Sequence, residues 1–175
     1  KLPEIKDIER LNSMIHMIRM NKRVSKILDC YIQKEHVKVY PDTKELPELL
    51  LEMSKKLHES GFISDTKGFY EDVLLREKNY PTNLGLQMMV PHALFTFADK
   101  TGIEVALLKK PFEHHGNQVQ LVFLLALEKK RNDEMNLLFQ FFNQIVSHKK
   151  YMHALLQSED SDAFIKNLYS FKLLE

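Results

Sequence analysis

Between residues 76 and 93 the chain reads Arg76-Glu77-Lys78-Asn79-Tyr80-Pro81-Thr82-Asn83-Leu84-Gly85-Leu86-Gln87-Met88-Met89-Val90-Pro91-His92-Ala93. Its two prolines punctuate it. Pro81 lacks a backbone N–H and its ring clashes with the preceding turn, so the helix before it is expected to end at about Lys78. Leu86 to Val90 then has the length and apolar character of a short strand. Pro91 fixes its own φ and favours an extended Val90, which predicts that the His92 imidazole sits at a strand end rather than on a roaming loop.

Working upstream, Phe69, Val73 and Leu74 mark the helix that Pro81 stops, with Asp65 as its cap. Leu46, Leu49, Leu50, Met53 and Leu57 recur at helical spacing and are closed by Gly61, which suits the left-handed position just past a helix end. Before them, His36-Val37-Lys38-Val39-Tyr40 alternates polar and apolar ahead of Pro41-Asp42, as a short strand entering a turn does. The first residues carry Ile5, Ile8, Leu11, Ile15 and Ile18 on one helix face, and a second stretch follows in Val24, Ile27, Leu28 and Tyr31. Met20-Asn21-Lys22-Arg23 is the expected break between two helices. This reading divides the chain into a helical extension or linker over residues 1–35 and a main domain over 36–175.

Downstream, Ile103, Val105 and Leu107 alternate as a strand, and Val119 to Ala126 is apolar on both faces, as a central strand covered by helices is. Asp133 opens an amphipathic helix with Met135, Leu138, Phe139, Phe142 and Ile145, and two shorter helices follow around Tyr151 to Leu156 and Asp162 to Leu168. The element order is that of an α/β layer fold.

Composition limits the function classes. The 175 residues are 44% hydrophobic and 28% charged, ordinary values for one soluble domain with a sizeable core. A formal net charge of +1 gives no field for a nucleic-acid duplex, so direct nucleic-acid contact by this domain is not expected. The longest apolar run, Val119 to Leu127, contains Gln120 and is far short of a membrane span, and no signal-peptide pattern opens the chain. With Cys30 as the lone cysteine there is no intrachain disulfide, in keeping with a cytoplasmic location. The first residue is Lys1 rather than Met, which suggests a piece of a larger protein.

The Arg76-Glu77 pair, the Pro81-Thr82 and Leu84-Gly85 loop and the Val90-Pro91-His92 segment together resemble the signature of the fructose/mannitol class of enzyme IIA domains of the bacterial sugar phosphotransferase system. The similarity extends through Ile103 to Pro111, Val119 to Ala126 and the Asp133-Glu134 helix, and covers roughly Val37 to Leu168. It implies a mixed central β-sheet flanked by helices, of the mannitol-type enzyme IIA kind. It also implies that His92 is the phosphoacceptor, with Arg76 beside the phosphorylated ring, phosphocarrier protein HPr and enzyme IIB proteins as partners, and no cofactor or metal.

The residue chemistry agrees. Near neutral pH an imidazole is an available nitrogen nucleophile, whereas lysine is almost entirely protonated. Arg76 offers a planar, permanently charged donor fork for phosphate oxygens, and its bland reading is a helix-end cation. Thr82 has a hydroxyl for the phosphoryl group or the ring, or else caps the loop. Asp133 and Glu134 read as acids that complement a helix N-terminus.

Two departures from the family pattern stand out. Many members carry a second histidine where this chain has Met135, whose thioether cannot shuttle a proton. The small residues usual before the active strand are replaced by Leu86, Gln87, Met88 and Met89, which are expected to alter the approach surface seen by a partner. His114-His115 suggests a metal pair, but neighbours on a strand are expected to point to opposite faces, and a site needs three or four ligands. His148 and His153 are expected to be exposed, and Cys30 carries no motif that argues reactivity. The methionines fall at core-like positions. The stripe from Ile5 to Ile18 is expected to pack on its own domain, with an interdomain linker or a dimer-forming helix as the other readings.

Three functions follow. The favoured one is an enzyme IIA-like regulatory module of a sugar-responsive transcriptional activator or antiterminator, phosphorylated on His92 by phosphotransferase proteins. The second is the enzyme IIA component of a transporter, a phosphotransferase passing phosphate from HPr to enzyme IIB. The third is a protein-binding scaffold that is never phosphorylated.

Overall fold

Two long strands set the architecture of the computed structural model, which describes residues 5–130 and 133–170. Helix α1 (Ile5–Tyr31) leads through a short 3-10 turn into strand β1 (Val37–Tyr40), followed by α2 (Leu46–Glu59), α3 (Thr66–Asn79), β2 (Asn83–Gly85) and β3 (Met88–Met89). The long strands β4 (Gly102–His114) and β5 (Asn117–Ala126) come next, then α4 (Asp133–Ile145), α5 (Lys149–Leu156) and α6 (Ser161–Tyr169). The five strands lie in the order β1-β4-β5-β3-β2. β4 and β5 are antiparallel, β1 runs parallel to β4 and β3 parallel to β5, so the sheet is mixed.

Side chains on β5 alternate between two apolar layers, as the period-two geometry of a strand requires. Leu121, Phe123 and Leu125 join a core with α1, α4, α5 and α6 residues, including Phe142, Leu155 and Phe164. Val122, Leu124 and Ala126 join the opposite core, with Leu49, Leu57, Phe69 and Val73 from α2 and α3. β5 is thus covered on both faces, as its unbroken apolar run foretells. The predicted punctuation also holds: Gly61 has φ 74°, and the Asp65 side chain accepts a hydrogen bond from the Gly68 N–H at 2.9 Å. Among the described residues, no helix is long and apolar enough to cross a membrane.

Four expectations are corrected. The break at Met20–Arg23 does not exist, because α1 is one helix from Ile5 to Tyr31. Methionine, lysine and arginine are good helix formers and no glycine or proline interrupts them. Along this helix the apolar face changes sides. Val24, Ile27, Leu28 and the following Ile32 are buried in the core. At about 100° per residue, the stripe Ile8, Leu11, Ile15 and Ile18 falls roughly half a turn away from that face. It does not pack on its own domain, and these four residues are 46, 56, 39 and 51% exposed; the side chain of Ile5 lies outside the described residues.

The predicted strand from Leu86 to Val90 is instead the second half of a tight hairpin. Gly85, Leu86 and Gln87 all take positive φ (102°, 44° and 67°) and reverse the chain between β2 and β3. Met88 and Met89 therefore turn inward, at 1% and 0% exposure. They build the core and do not alter the approach surface, while Leu86 packs partly against the same core and Gln87 is exposed.

Candidate phosphoryl-transfer site

The hairpin and Pro91 carry the chain onto the edge of β5, where His92 pairs with Leu125 in parallel and the Leu125 N–H donates to the Pro91 carbonyl at 2.9 Å. The imidazole is half-buried, with the Phe139 ring edge-on at 5.7 Å between centroids. Its Nδ1 lies 3.0 Å from the Val90 carbonyl oxygen. A carbonyl only accepts, so Nδ1 carries the proton and the lone pair of the neutral ring resides on Nε2. Burial holds the His92 pKa below its ordinary 6.5; the Val90 carbonyl opposes that shift, the Arg76 charge adds to it, and Glu77 and Asp72 counter it. At neutral pH the ring is therefore an uncharged nitrogen nucleophile.

Beside His92 opens a cleft of about 330 Å³, lined among others by Ala93, Phe97, Lys129, Lys130, Met135 and Asn136. Met135 is 8% exposed, so the position of the family's second histidine is an apolar wall of this cleft. Asp133 is exposed at the start of α4, and the side chain of Glu134 lies outside the described residues.

Helix α3 supplies the rest of the site from its last two turns. The Arg76 Nη1 donates to the Tyr80 carbonyl at 3.3 Å, while its Nε is buried with no hydrogen-bond partner among the described residues. Glu77, 1% exposed, accepts the Thr82 N–H at 3.0 Å on Oε2, and the Thr82 hydroxyl on Oε1. That hydroxyl proton is engaged by Glu77. Arg76 and Thr82 are not among the residues that line the cleft.

Asp72, which sequence reasoning missed, holds the loop beyond His92 by accepting the N–H groups of Phe95 and Thr96, both at 2.7 Å. Although burial opposes ionisation, the N–H bonds from Thr96 and Phe95 keep this carboxyl below its ordinary value. Its one sequence signal is its place one turn before Arg76. Phe139, which the sequence marks only as one apolar residue of an amphipathic helix, is the side chain against which the His92 ring rests.

His114 and His115 do not diverge. His115 has φ 49° and Gly116 φ 76°, a turn that brings the two rings together at 4.5 Å between centroids. The His114 Nε2 meets Glu77 Oε2 at 3.2 Å, and the His115 Nε2 meets the Glu77 carbonyl at 3.1 Å. His153 and Cys30 are exposed, and His148 is half-buried.

Residues 30–170 match the family described as phosphoenolpyruvate-dependent sugar phosphotransferase system, EIIA 2, and the chain belongs to that family. It is 27% identical over 144 residues to the probable licABCH operon regulator of Bacillus subtilis, covering 80% of this chain and 22% of that protein. It is 26% identical over 121 residues to the transcriptional regulator ManR of the same organism, covering 69% of this chain and 18% of that one. The chain thus spans about a fifth of the length of these relatives. The fold matches enzyme IIA of the Escherichia coli mannitol system, solved in complex with its phosphorylated enzyme IIB, with a TM-score of 0.66 at 18% identity over 80% of this chain and 98% of that one.

Proposed function

We propose that this chain is the phosphohistidine module of a sugar-responsive transcriptional regulator, with His92 as the phosphoacceptor. The observation that carries the reading is the Nδ1–H bond to the Val90 carbonyl, which leaves the Nε2 lone pair of a neutral, half-buried imidazole as the ring's nucleophile. In the transfer, Nε2 forms a bond to phosphorus while the bond from phosphorus to the donor's nitrogen or sulfur breaks. Nδ1 keeps its proton throughout, and the reverse transfer restores the neutral ring. Arg76 supplies the positive charge that the phosphoryl dianion needs, since its guanidinium charge is already felt at the His92 ring. Thr82 acts indirectly, because its hydroxyl is held by Glu77.

HPr or a phosphorylated enzyme IIB protein is the donor, in the cytoplasm. The enzyme IIA-like unit over 36–175 is completed by the second half of the 1–35 extension, which contributes Val24, Ile27, Leu28 and Ile32 to its core. The exposed stripe from Ile8 to Ile18 suits a linker contact or a second copy in the whole protein. The domain itself makes no contact with nucleic acid and inserts in no membrane. The likeness to two regulators favours a signalling role over a transporter component.

Labelled phosphoenolpyruvate with enzyme I and HPr, with and without enzyme IIB proteins, tests the reading. Wild type takes up label and His92→Ala does not. Equal label in both proteins, or none in wild type with any donor, sinks it. Rapid onward transfer to one enzyme IIB, with no effect of phosphorylation on transcription, favours the transporter role instead.

A further inference from the structure

The tip of the β4–β5 hairpin is wired to the His92 ring through three hydrogen-bonded residues, Glu77, Thr82 and Val90. Glu77 is 1% exposed, and His114 Nε2 lies 3.2 Å from its Oε2, a geometry in which the ring N–H donates to the carboxylate. The same carboxylate takes both donors of Thr82, fixing the loop that follows Pro81. The Thr82 carbonyl accepts the Val90 N–H at 3.2 Å, and the Val90 carbonyl accepts the His92 Nδ1–H at 3.0 Å. Each link orients the next, and the last one selects which nitrogen of His92 faces a donor.

The hairpin tip is itself fixed at both ends. His115 Nε2 holds the Glu77 carbonyl at 3.1 Å, and the His114 carbonyl accepts the Asn83 side-chain amide at 3.2 Å. Loop 81–83 is therefore gripped from α3 and from the tip together. On the cleft side the His92 ring rests edge-on against Phe139 at 5.7 Å between centroids, and its bond to the Val90 carbonyl sets the protonated nitrogen.

We propose that His114 is a positioning residue for phosphoryl transfer, acting through Glu77, Thr82 and Val90 to hold His92 in the tautomer with Nδ1 protonated and Nε2 free. The inference rests on His92 being the phosphoacceptor. It makes the histidine pair, which has no place in the family motif, part of the machinery from outside the cleft. A leucine at 114 fills similar space but donates nothing, and a buried carboxylate deprived of a partner rearranges. A glutamine retains an N–H donor within reach.

The test compares wild type, His114→Leu and His114→Gln by initial rate of labelling from phospho-HPr, by thermal midpoint, and by ¹H–¹⁵N correlation spectra of the His92 ring. The spectra distinguish Nδ1–H from Nε2–H. His114→Leu is expected to be labelled about ten- to a hundredfold more slowly, the size of effect that a small misplacement of a reacting group produces. Its His92 signals should report a mixture of tautomers, and His114→Gln should recover the rate to within about threefold and restore the Nδ1–H form. A wild-type rate and tautomer in folded His114→Leu overturns the proposal. If His114→Leu does not fold, the isosteric Glu77→Gln decides by the same spectra, and an unchanged tautomer overturns it. A wild type that takes no label refutes the phosphoacceptor reading, and the tautomer arm still judges the relay by itself.

Discussion

Removing the first 35 residues should unfold the domain, whereas removing the first 18 should leave it intact. Val24, Ile27, Leu28 and Ile32 are exposed by only 6, 6, 2 and 1% and sit against the sheet, beside residues of α4 to α6. Full burial of such side chains is worth about 1.5–3 kcal/mol each, so their loss removes roughly 6–12 kcal/mol. Residual compactness of the unfolded chain places the true figure toward the lower end. Domains of this kind are stable by about 5–15 kcal/mol, so even that lower figure takes most of the margin. Urea denaturation followed by circular dichroism measures the effect on chains beginning at Arg19 and at His36. The first should keep the full-length midpoint, and the second should show no cooperative transition. A cooperative transition at the full-length midpoint for the chain beginning at His36 would refute the assignment of α1's second half to the core.

Replacing Ile8, Leu11, Ile15 and Ile18 together by serine should lower the thermal midpoint by no more than about 8 °C, since each surface substitution changes stability by about 0.5 kcal/mol or less; a larger fall in a dilute sample would place this stripe against its own domain. Glu104 is 5% exposed on β4, and burial pushes its carboxyl up to about 7 despite the His36 Nδ1 at 2.7 Å. An unfolded glutamate loses its proton near 4.5, so between that pH and about 7 the folded state holds the extra proton. This site's contribution is therefore complete below the unfolded value and disappears as pH rises through about 7, by roughly 3–4 kcal/mol. Glu104→Gln should remove that loss, making the variant the more stable protein at pH 8; urea midpoints at pH 5 and 8 that fall alike in both proteins would contradict it.

Local signals in the sequence translated directly into structure. The Asp65 cap, the Gly61 stop, the two-faced β5 and the proline before His92 each depend on neighbours a few residues away, and each was legible. What was hidden depends on distant partners or on rare backbone conformations. The reversal at Leu86 and Gln87 uses left-handed angles that such residues seldom adopt, so the stretch reads as one strand. The same conformation at His115 folds two rings together where strand geometry predicts divergence. In α1 the residue types announce a helix, but only the packed sheet reveals that its two halves present opposite faces. Of the site, His92 and the Arg76-Glu77 pair were legible from the motif. Glu77's fully buried carboxylate became intelligible only once His114, from the hairpin tip, was found beside it.

The central claim is that Nε2 of His92 receives the phosphoryl group. Phosphorylating ¹⁵N-histidine-labelled protein with phosphoenolpyruvate, enzyme I and HPr, and reading ³¹P–¹⁵N couplings, tests it most directly. A single coupling to Nε2 of His92, with Nδ1 still protonated and no signal in His92→Ala, is the expected result. A phosphoryl group on Nδ1, on another histidine such as His114, or on none would contradict it.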